Sequence, residues 1–330
     1  MIRFVTQAAA ALVALSAWCL ALDRAAAQSD YPRRPITVIV PFAAGGPTDV
    51  VARIVGDHMS RTLGQQLLVE NIVGAAGTTA STRAARAAPD GYPIEMGHMG
   101  THAAAVALYQ NLAYKPDVDF APISMVAGTP VLILGKKGLP PRDLKELVVY
   151  VKANVDKLNM AHAGVGSVSH VTCLLLNSII NVKPTSVPFT GTGPAMNALV
   201  AGQVDYMCDQ IVNVVSQVQG GTIKAYAIGT AERNPALPDI PTTREAGLPE
   251  FQASAWNALF APKTTPRPIV DKLADALDKA LDDETTRKRL LELGSDLPSK
   301  ERRGSAALAA LVKSEIARWT PIINAAGPMN

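Results

Sequence analysis

The sequence predicts an α/β fold of two lobes, each a mainly parallel sheet flanked by helices. Short apolar, β-branched runs alternate with amphipathic helical patterns over roughly 200 residues, the signature of strand–helix–strand units. Several of those runs pass through small-residue loops into helices, as ITVIVPFAAGGPTDVVAR does between Ile36 and Arg53. The strands are too many for one sheet, so two sheets with two or three crossings are expected. Gly128-Thr129-Pro130, between the apolar runs Phe120–Ala127 and Val131–Leu134, is a natural crossing.

The first residues are expected to be a leader rather than part of the fold. Met1-Ile2-Arg3 is a positive start, Phe4 to Leu22 is mostly Ala, Leu and Val, and Ala25-Ala26-Ala27 offers a cleavage site. Residues 1–27 therefore read as a secretory signal peptide, cut after Ala27. No later stretch approaches the run of about 18 apolar residues that a spanning helix needs. Lys and Arg number 31 against 28 Asp and Glu, for a net charge of +3. With aromatics at 5% and no basic cluster among them, no nucleic-acid partner is expected.

In order, Val51, Ile54, Val55, Met59 and Leu63 share one helical face that Gly64 stops. Gln66–Val69 reads as a strand and leads to the loop Asn71–Gly77. The Ala/Arg helix Ala80–Ala88 ends at Pro89-Asp90-Gly91. Ile94–Met96 is a strand followed by a third loop, Gly97–His102. In parallel sheets ligands gather at the carboxyl ends of strands, so these loops should cluster. Asp143 can cap a helix over Leu144–Val155. Strand Leu158–His162 feeds Gly164–His170, and strand Thr185–Phe189 feeds Thr190–Pro194 and the helix Ala195–Ala201. Val204–Cys208 and Ile223–Gly229 are strands. After Thr230 a Pro-rich link returns to a last strand, Ala255–Ala261, and from Pro266 onward the pattern is helical.

Val40–Pro47 echoes Val187–Pro194 at Val-Pro-Phe, the last Gly and the Pro. Each copy joins a strand to a helix, and such helix starts favour anions. A pair of them would accept a carboxylate from two sides of one cleft, although shared turn chemistry also accounts for the match. Other chemistry is weaker. Gly164–Ser169 is one residue short of a dinucleotide fingerprint, and no nucleophile elbow surrounds Ser167 or Ser169. His98 and His102 have zinc spacing without a third ligand. No cofactor is expected. Once Cys19 leaves with the leader, Cys173 and Cys208 remain, and two thiols in an exported chain read as one disulfide. Such a bridge closes a loop of about 35 residues and stabilises by roughly 3–4 kcal/mol. A nucleophilic pair of His170 and Cys173, three apart on one helix face, is the rival reading and would make a secreted hydrolase.

Taken together, the chain resembles the Bug-type extracytoplasmic solute receptors of tripartite tricarboxylate transporters. The matching stretches are YPRRPITVIVPFAAGGPTD (Tyr31–Asp49), NIVGAAGTTAST (Asn71–Thr82), APDGYPIEMGHMGTHA (Ala88–Ala103), DFAPISMVA (Asp119–Ala127), GVGSVSH (Gly164–His170), VPFTGTGPAMNALVAGQVDYMCD (Val187–Asp209), ALPDIPTTREAGLPEF (Ala236–Phe251) and WNALFAPKTTP (Trp256–Pro266). The resemblance implies a periplasmic two-lobed binding protein (a Venus flytrap), not an enzyme. It would hold a small organic acid through loop amides, hydroxyls and waters, and deliver it to membrane-embedded transporter subunits. The expected division is lobe I over 28–127, lobe II over 128–231 and a return to lobe I over 232–330, in a monomer. Carried over by position, the ligand contacts would be Phe42, Ala43, Gly46, Thr48, Asp49, Gly77 and Thr101 from lobe I. Ser167, Ser169, Phe189, Thr190 and Asp209 would complete them from lobe II. The chain departs from the commoner family pattern at Cys173, Cys208 and Asn257. The first two favour a disulfide, and the third a differently shaped pocket near Trp256.

Overall fold

The computed structural model describes residues 30–325, so the signal-peptide expectation for 1–27 lies outside the described residues. Strand β1 (Ile36–Val40) alternates its side chains between two core layers, with Ile36, Val38 and Val40 in one and Ile39 in the other. Helix α1 (Pro47–Leu63) starts with Pro47 behind Gly46 and ends on Gly64 at φ 69°, the usual Pro-in, Gly-out punctuation. Strand β2 (Leu67–Asn71), helix α2 (Thr78–Ala85) and strand β3 (Pro93–His98) follow. A π-helical turn (Gly100–Ala104) then runs into the short α3 (Ala105–Leu108).

Strand β4 (Phe120–Lys136) is 17 residues long and joins the two halves of the molecule. Beyond it come α4 (Leu144–Asn154), β5 (Asn159–His162), α5 (Val168–Ile179), β6 (Thr185–Pro188), α6 (Thr192–Val200), β7 (Tyr206–Gln210), α7 (Ile211–Gln219) and β8 (Ile223–Ile228). The chain returns through β9 (Ser254–Pro262), α8 (Arg267–Asp282), α9 (Glu284–Glu292) and α10 (Gly304–Ala325). The hydrogen-bonded order is β2-β1-β3-β9-β4-β7-β5-β6, with β8 also on β4. Within the first half β9 alone runs against its neighbours, and within the second half β4 does. Each half is thus a mainly parallel sheet whose one reversed strand is the chain arriving from the other half.

Several features differ from the sequence reading: the expected two sheets form one hydrogen-bonded order of nine strands, and α7 was not expected. Gly128-Thr129-Pro130 does not separate two strands, because the pleat continues through it. Gly128 exchanges both backbone hydrogen bonds with Asp296, at 2.7 and 2.8 Å, and Pro130 sits opposite Ser254. The chain from Pro266 onward is also not continuously helical. The side chain of Asp283 caps α9 by accepting from Thr286 N–H, and Gly294 at φ 76° turns the chain back towards the junction.

The core lies in two layers that cover the sheet's two faces and cross the junction. One layer joins Val51 and Ile54 of α1 to Leu273 and Leu277 of α8, Leu199 of α6 and Val214 of α7. The other joins Leu147 of α4 and Leu176 of α5 to Leu308 and Trp319 of α10. Both Trp256 and Trp319 donate their indole N–H to Glu315 Oε2, at 3.2 and 3.1 Å, which ties β9 to α10. Trp256 therefore points away from the cleft. No helix among the described residues is long and apolar enough to cross a membrane.

Candidate functional site

Where the halves meet, a narrow cavity of about 20 Å³ is lined by Phe42, Pro47, Thr48 and His98 from the first half. Ala163, Ser167, Val168, Ser169, Thr192 and Gln210 line it from the second. That volume is about enough for one water. Four helices begin on this cavity: α1 through Pro47 and Thr48, α5 through Ser167–Ser169, α6 through Thr192, and α7 behind Gln210. Their positive dipole ends and those first-turn N–H groups that have no protein acceptor make the space attractive to an anion, although His170 N–H is already taken by Ser167 Oγ and Gln210 N–H by Asp209. No Lys, Arg, Asp or Glu side chain lines it. A larger groove of about 690 Å³ lies between the end of α1 and β2, but it is open, and Arg61 and Asp57 there pair with each other at 2.9 Å.

Of the twelve positions expected to touch ligand, Phe42, Thr48, Ser167 and Ser169 line the cavity. Gly46 and Ala43 lie at its entrance, where a Cβ on Gly46 would be 3.7 Å from Thr192 Oγ1 and the Ala43 Cβ faces Gly191. Thr190 is exposed, and Phe189 is half-buried against the first core layer. Gly77 packs behind Phe42 and against Thr101, which is itself fully buried behind His98. The two carboxylates are engaged by protein donors. Asp49 is not the N-cap residue: its helix starts three residues earlier, on Gly46, which has no side chain to cap with. Asp49 instead accepts from Gly45 N–H and from the side chains of Arg53 and Asn71, each at 2.9 Å. Burial raises its pKa, but the Arg53, Gly45 and Asn71 hydrogen bonds outweigh this and hold it below the usual range. Asp209 is fully buried and accepts from Gln210 N–H at 2.8 Å and Asn213 Nδ2 at 2.6 Å.

Pro47, His98, Ala163, Val168, Thr192 and Gln210 were not among the expected ligand contacts. Thr192 lies inside the Val187–Pro194 echo, which is the one signal that pointed near it. The echo is not kept in register, since α1 starts at its eighth position and α6 at its sixth. The reading of Gly97–His102 as a loop is corrected. β3 runs on to His98, and the glycines make room for rings. A Cβ on Gly97 would lie 2.4 Å from the His102 ring, and one on Gly100 would lie 2.5 Å from the His98 ring and 2.8 Å from Gly166 O. The His98 ring stacks on Phe42 and the His102 ring on Phe260. Among the described residues no group of three or more His, Cys, Asp or Glu is placed to hold a metal.

Cys173 on α5 and Cys208 on β7 form a disulfide with Cα atoms 5.2 Å apart. The bridge consumes the thiol that a His170–Cys173 nucleophilic pair would need. It also ties the helix that begins at the two serines to the strand that ends in Gln210. Across the cleft, Tyr109 Oη donates to Val165 O at 2.6 Å, a direct hydrogen bond between the halves.

A fold of two α/β halves joined by a reversed strand, closing on an anion-friendly cleft, defines the class of periplasmic-type binding proteins. Residues 51–327 match the tripartite tricarboxylate transporter family receptor, and the chain belongs to that family. A protein of Agrobacterium vitis encoded in the TAR-I ttuE–ttuC' intergenic region is 44% identical over 303 residues, covering 92% of this chain and 87% of its own. Among solved structures, MatC from Rhodopseudomonas palustris with bound malate is 55% identical, with a TM-score of 0.87 over 89% of this chain and 100% of its own. The periplasmic binding protein BugD is 43% identical, with a TM-score of 0.86 over 90% of this chain and 99% of its own.

Proposed function

We propose that this protein is a periplasmic receptor that closes on a small organic carboxylate, mono- or dicarboxylic, and presents it to membrane-embedded subunits of a secondary transporter. The observation that carries this reading is the convergence of four helix N-termini on one cavity without a charged side chain. A carboxylate there gains several charge-assisted N–H hydrogen bonds and displaces no salt bridge. MatC, solved with malate, shares the fold and supports a carboxylate ligand.

In this reading lobe I comprises residues 28–127 and 232–330 and lobe II residues 128–231, after export and removal of residues 1–27. Thr48 contacts the acid from lobe I, Ser167 and Ser169 contact it from lobe II, and Phe42 forms the apolar wall. Asp49, Gly77, Thr101 and Asp209 hold these groups from behind. A thermal-shift screen of the mature protein against mono-, di- and tricarboxylates tests the proposal. At 100 times its dissociation constant a bound acid adds about 2.7 kcal/mol. Thr48→Ala with Ser169→Ala should then weaken the best acid about tenfold or more in calorimetry. Unchanged affinity removes those two hydroxyls from the site.

A further inference from the structure

Resting on that reading, we propose that His98 and Gln210 are specificity residues that donate to a second oxygen acceptor of the ligand, so that the receptor takes unsubstituted or hydroxylated dicarboxylates and refuses their amino counterparts.

His98 is fixed in one tautomer by its neighbours. Its Nδ1 accepts the Gly100 N–H at 2.7 Å and lies 3.3 Å from the Thr101 N. A ring nitrogen that accepts carries no proton, so the proton of the neutral imidazole is on Nε2. The ring is 1% exposed, stacks on Phe42 with centroids 4.7 Å apart, and borders the cavity. Among the described residues no hydrogen bond involves Nε2, which leaves a preset donor at the cleft. Burial pushes the His98 pKa down to about 3, so this donor stays uncharged.

Gln210 is oriented by a buried chain through the junction. Asn257 Nδ2 reaches Thr129 Oγ1 at 3.5 Å, and Thr129 Oγ1 donates to Gln210 Oε1 at 2.7 Å. With its oxygen held by Thr129, the amide has both N–H groups of its NH₂ left to offer to the cavity. The serine pair adds one more donor. Ser167 Oγ accepts from His170 N–H, Ser169 Oγ accepts from Ala163 N–H, and the two hydroxyls are 3.1 Å apart. One hydroxyl proton bridges them and the other remains free.

Acceptors are lacking in the same space. Both oxygens of Asp49 and of Asp209 are held by protein donors, and neither residue lines the cavity. An ammonium group would meet no carboxylate, only neutral acceptors, beside four positive helix ends, and would be poorly repaid for its lost hydration. A hydroxyl or carboxylate oxygen in its place meets donors.

The test uses calorimetry on the oxidised mature protein with matched sets: malate, succinate and aspartate, then 2-hydroxyglutarate, glutarate and glutamate. We expect the hydroxy or unsubstituted acid of at least one set to bind about tenfold or more tighter than its amino partner. An amino acid that binds as tightly as its partners overturns the selection and leaves the carboxylate-receptor reading standing. A panel in which no acid binds overturns both. With the best acid, His98→Phe and Gln210→Leu should each lose about tenfold in affinity, read on variants whose cooperative melting shows them folded, since each also strips a buried donor of its partner and lowers the melting temperature. His98→Gln, which keeps an N–H at similar reach, should recover most of that loss. Full affinity in His98→Phe, or in Gln210→Leu, overturns the role of that residue.

Discussion

Glu95 and His102 are fully buried on adjacent elements, with Glu95 Oε2 3.8 Å from His102 Nε2 and neither atom hydrogen-bonded. Burial pushes the Glu95 carboxyl up to about 8, against a Ser81 hydrogen bond that lowers it, and drives His102 well below its ordinary value. Both are therefore neutral near pH 7. Between about pH 4.5 and pH 8 the folded chain keeps a proton on Glu95 that the unfolded chain gives up, so stability falls as pH rises through that window. Glu95→Gln removes this dependence. Urea titrations should show the variant gaining about 1–3 kcal/mol over wild type on going from pH 5 to pH 8.5; equal slopes refute the assignment. At this scale the sequence was informative wherever a residue's neighbours in the chain decide its role. Thr48, Ser167 and Ser169 stand at strand-to-helix loops, and such loops could be read directly. Gln210 could not be read that way, because residues 81 positions away at Thr129 and, beyond it, Asn257 set its orientation.

Among the elements, glycines misled and informed in equal measure. Gly97 and Gly100 suggested a loop, whereas they are clearances that let two imidazole rings lie against β3 and the π-helical turn. Nothing local distinguishes a glycine that turns the chain from one that makes room for a ring. Gly97→Ala would drive a methyl to 2.4 Å from His102 and 2.9 Å from Phe260. We expect it to cost about 1–3 kcal/mol in urea denaturation, as overpacking does. Gly56 is the contrasting case, inside α1 with a Cβ that would sit 3.7 Å from Leu67 in ordinary contact. Gly56→Ala should stabilise by about 0.5–1 kcal/mol, by reducing the freedom of the unfolded chain. The reversed order of these two outcomes would refute the distinction. Strand–helix alternation, by contrast, was legible over most of the chain, because burial on two faces writes period 2 and period 3.6 into the sequence, but α7 (Ile211–Gln219) and the π-helical turn with α3 were not read. Only β4 was cut in two on paper, since Gly128 and Pro130 are turn formers that here sit in a continuous ladder.

For the molecule as a whole, the strand count pointed to two sheets where one hydrogen-bonded order of nine strands runs through both halves, and the approach of the two halves had no sequence signal. Closure depends on contacts between distant loops, such as Tyr109 with Val165 and Gly100 with Gly166 O. One net hydrogen bond is worth about 0.5–1.5 kcal/mol. Tyr109→Phe should therefore shift the ligand-free protein towards open forms and weaken ligand binding by about two- to tenfold. Small-angle scattering would register the first effect and calorimetry the second; a variant that matches wild type in both shows that the lobes close without this bond. The Cys173–Cys208 bridge has a consequence of another kind. It joins the segment that offers Ser167 and Ser169 to the strand that offers Gln210, so half of the cleft is cross-linked by a covalent bond that a reducing cytosol does not sustain. With export as proposed above, the oxidising compartment in which the receptor would meet its ligand would also be the one that completes the surface meant to hold it.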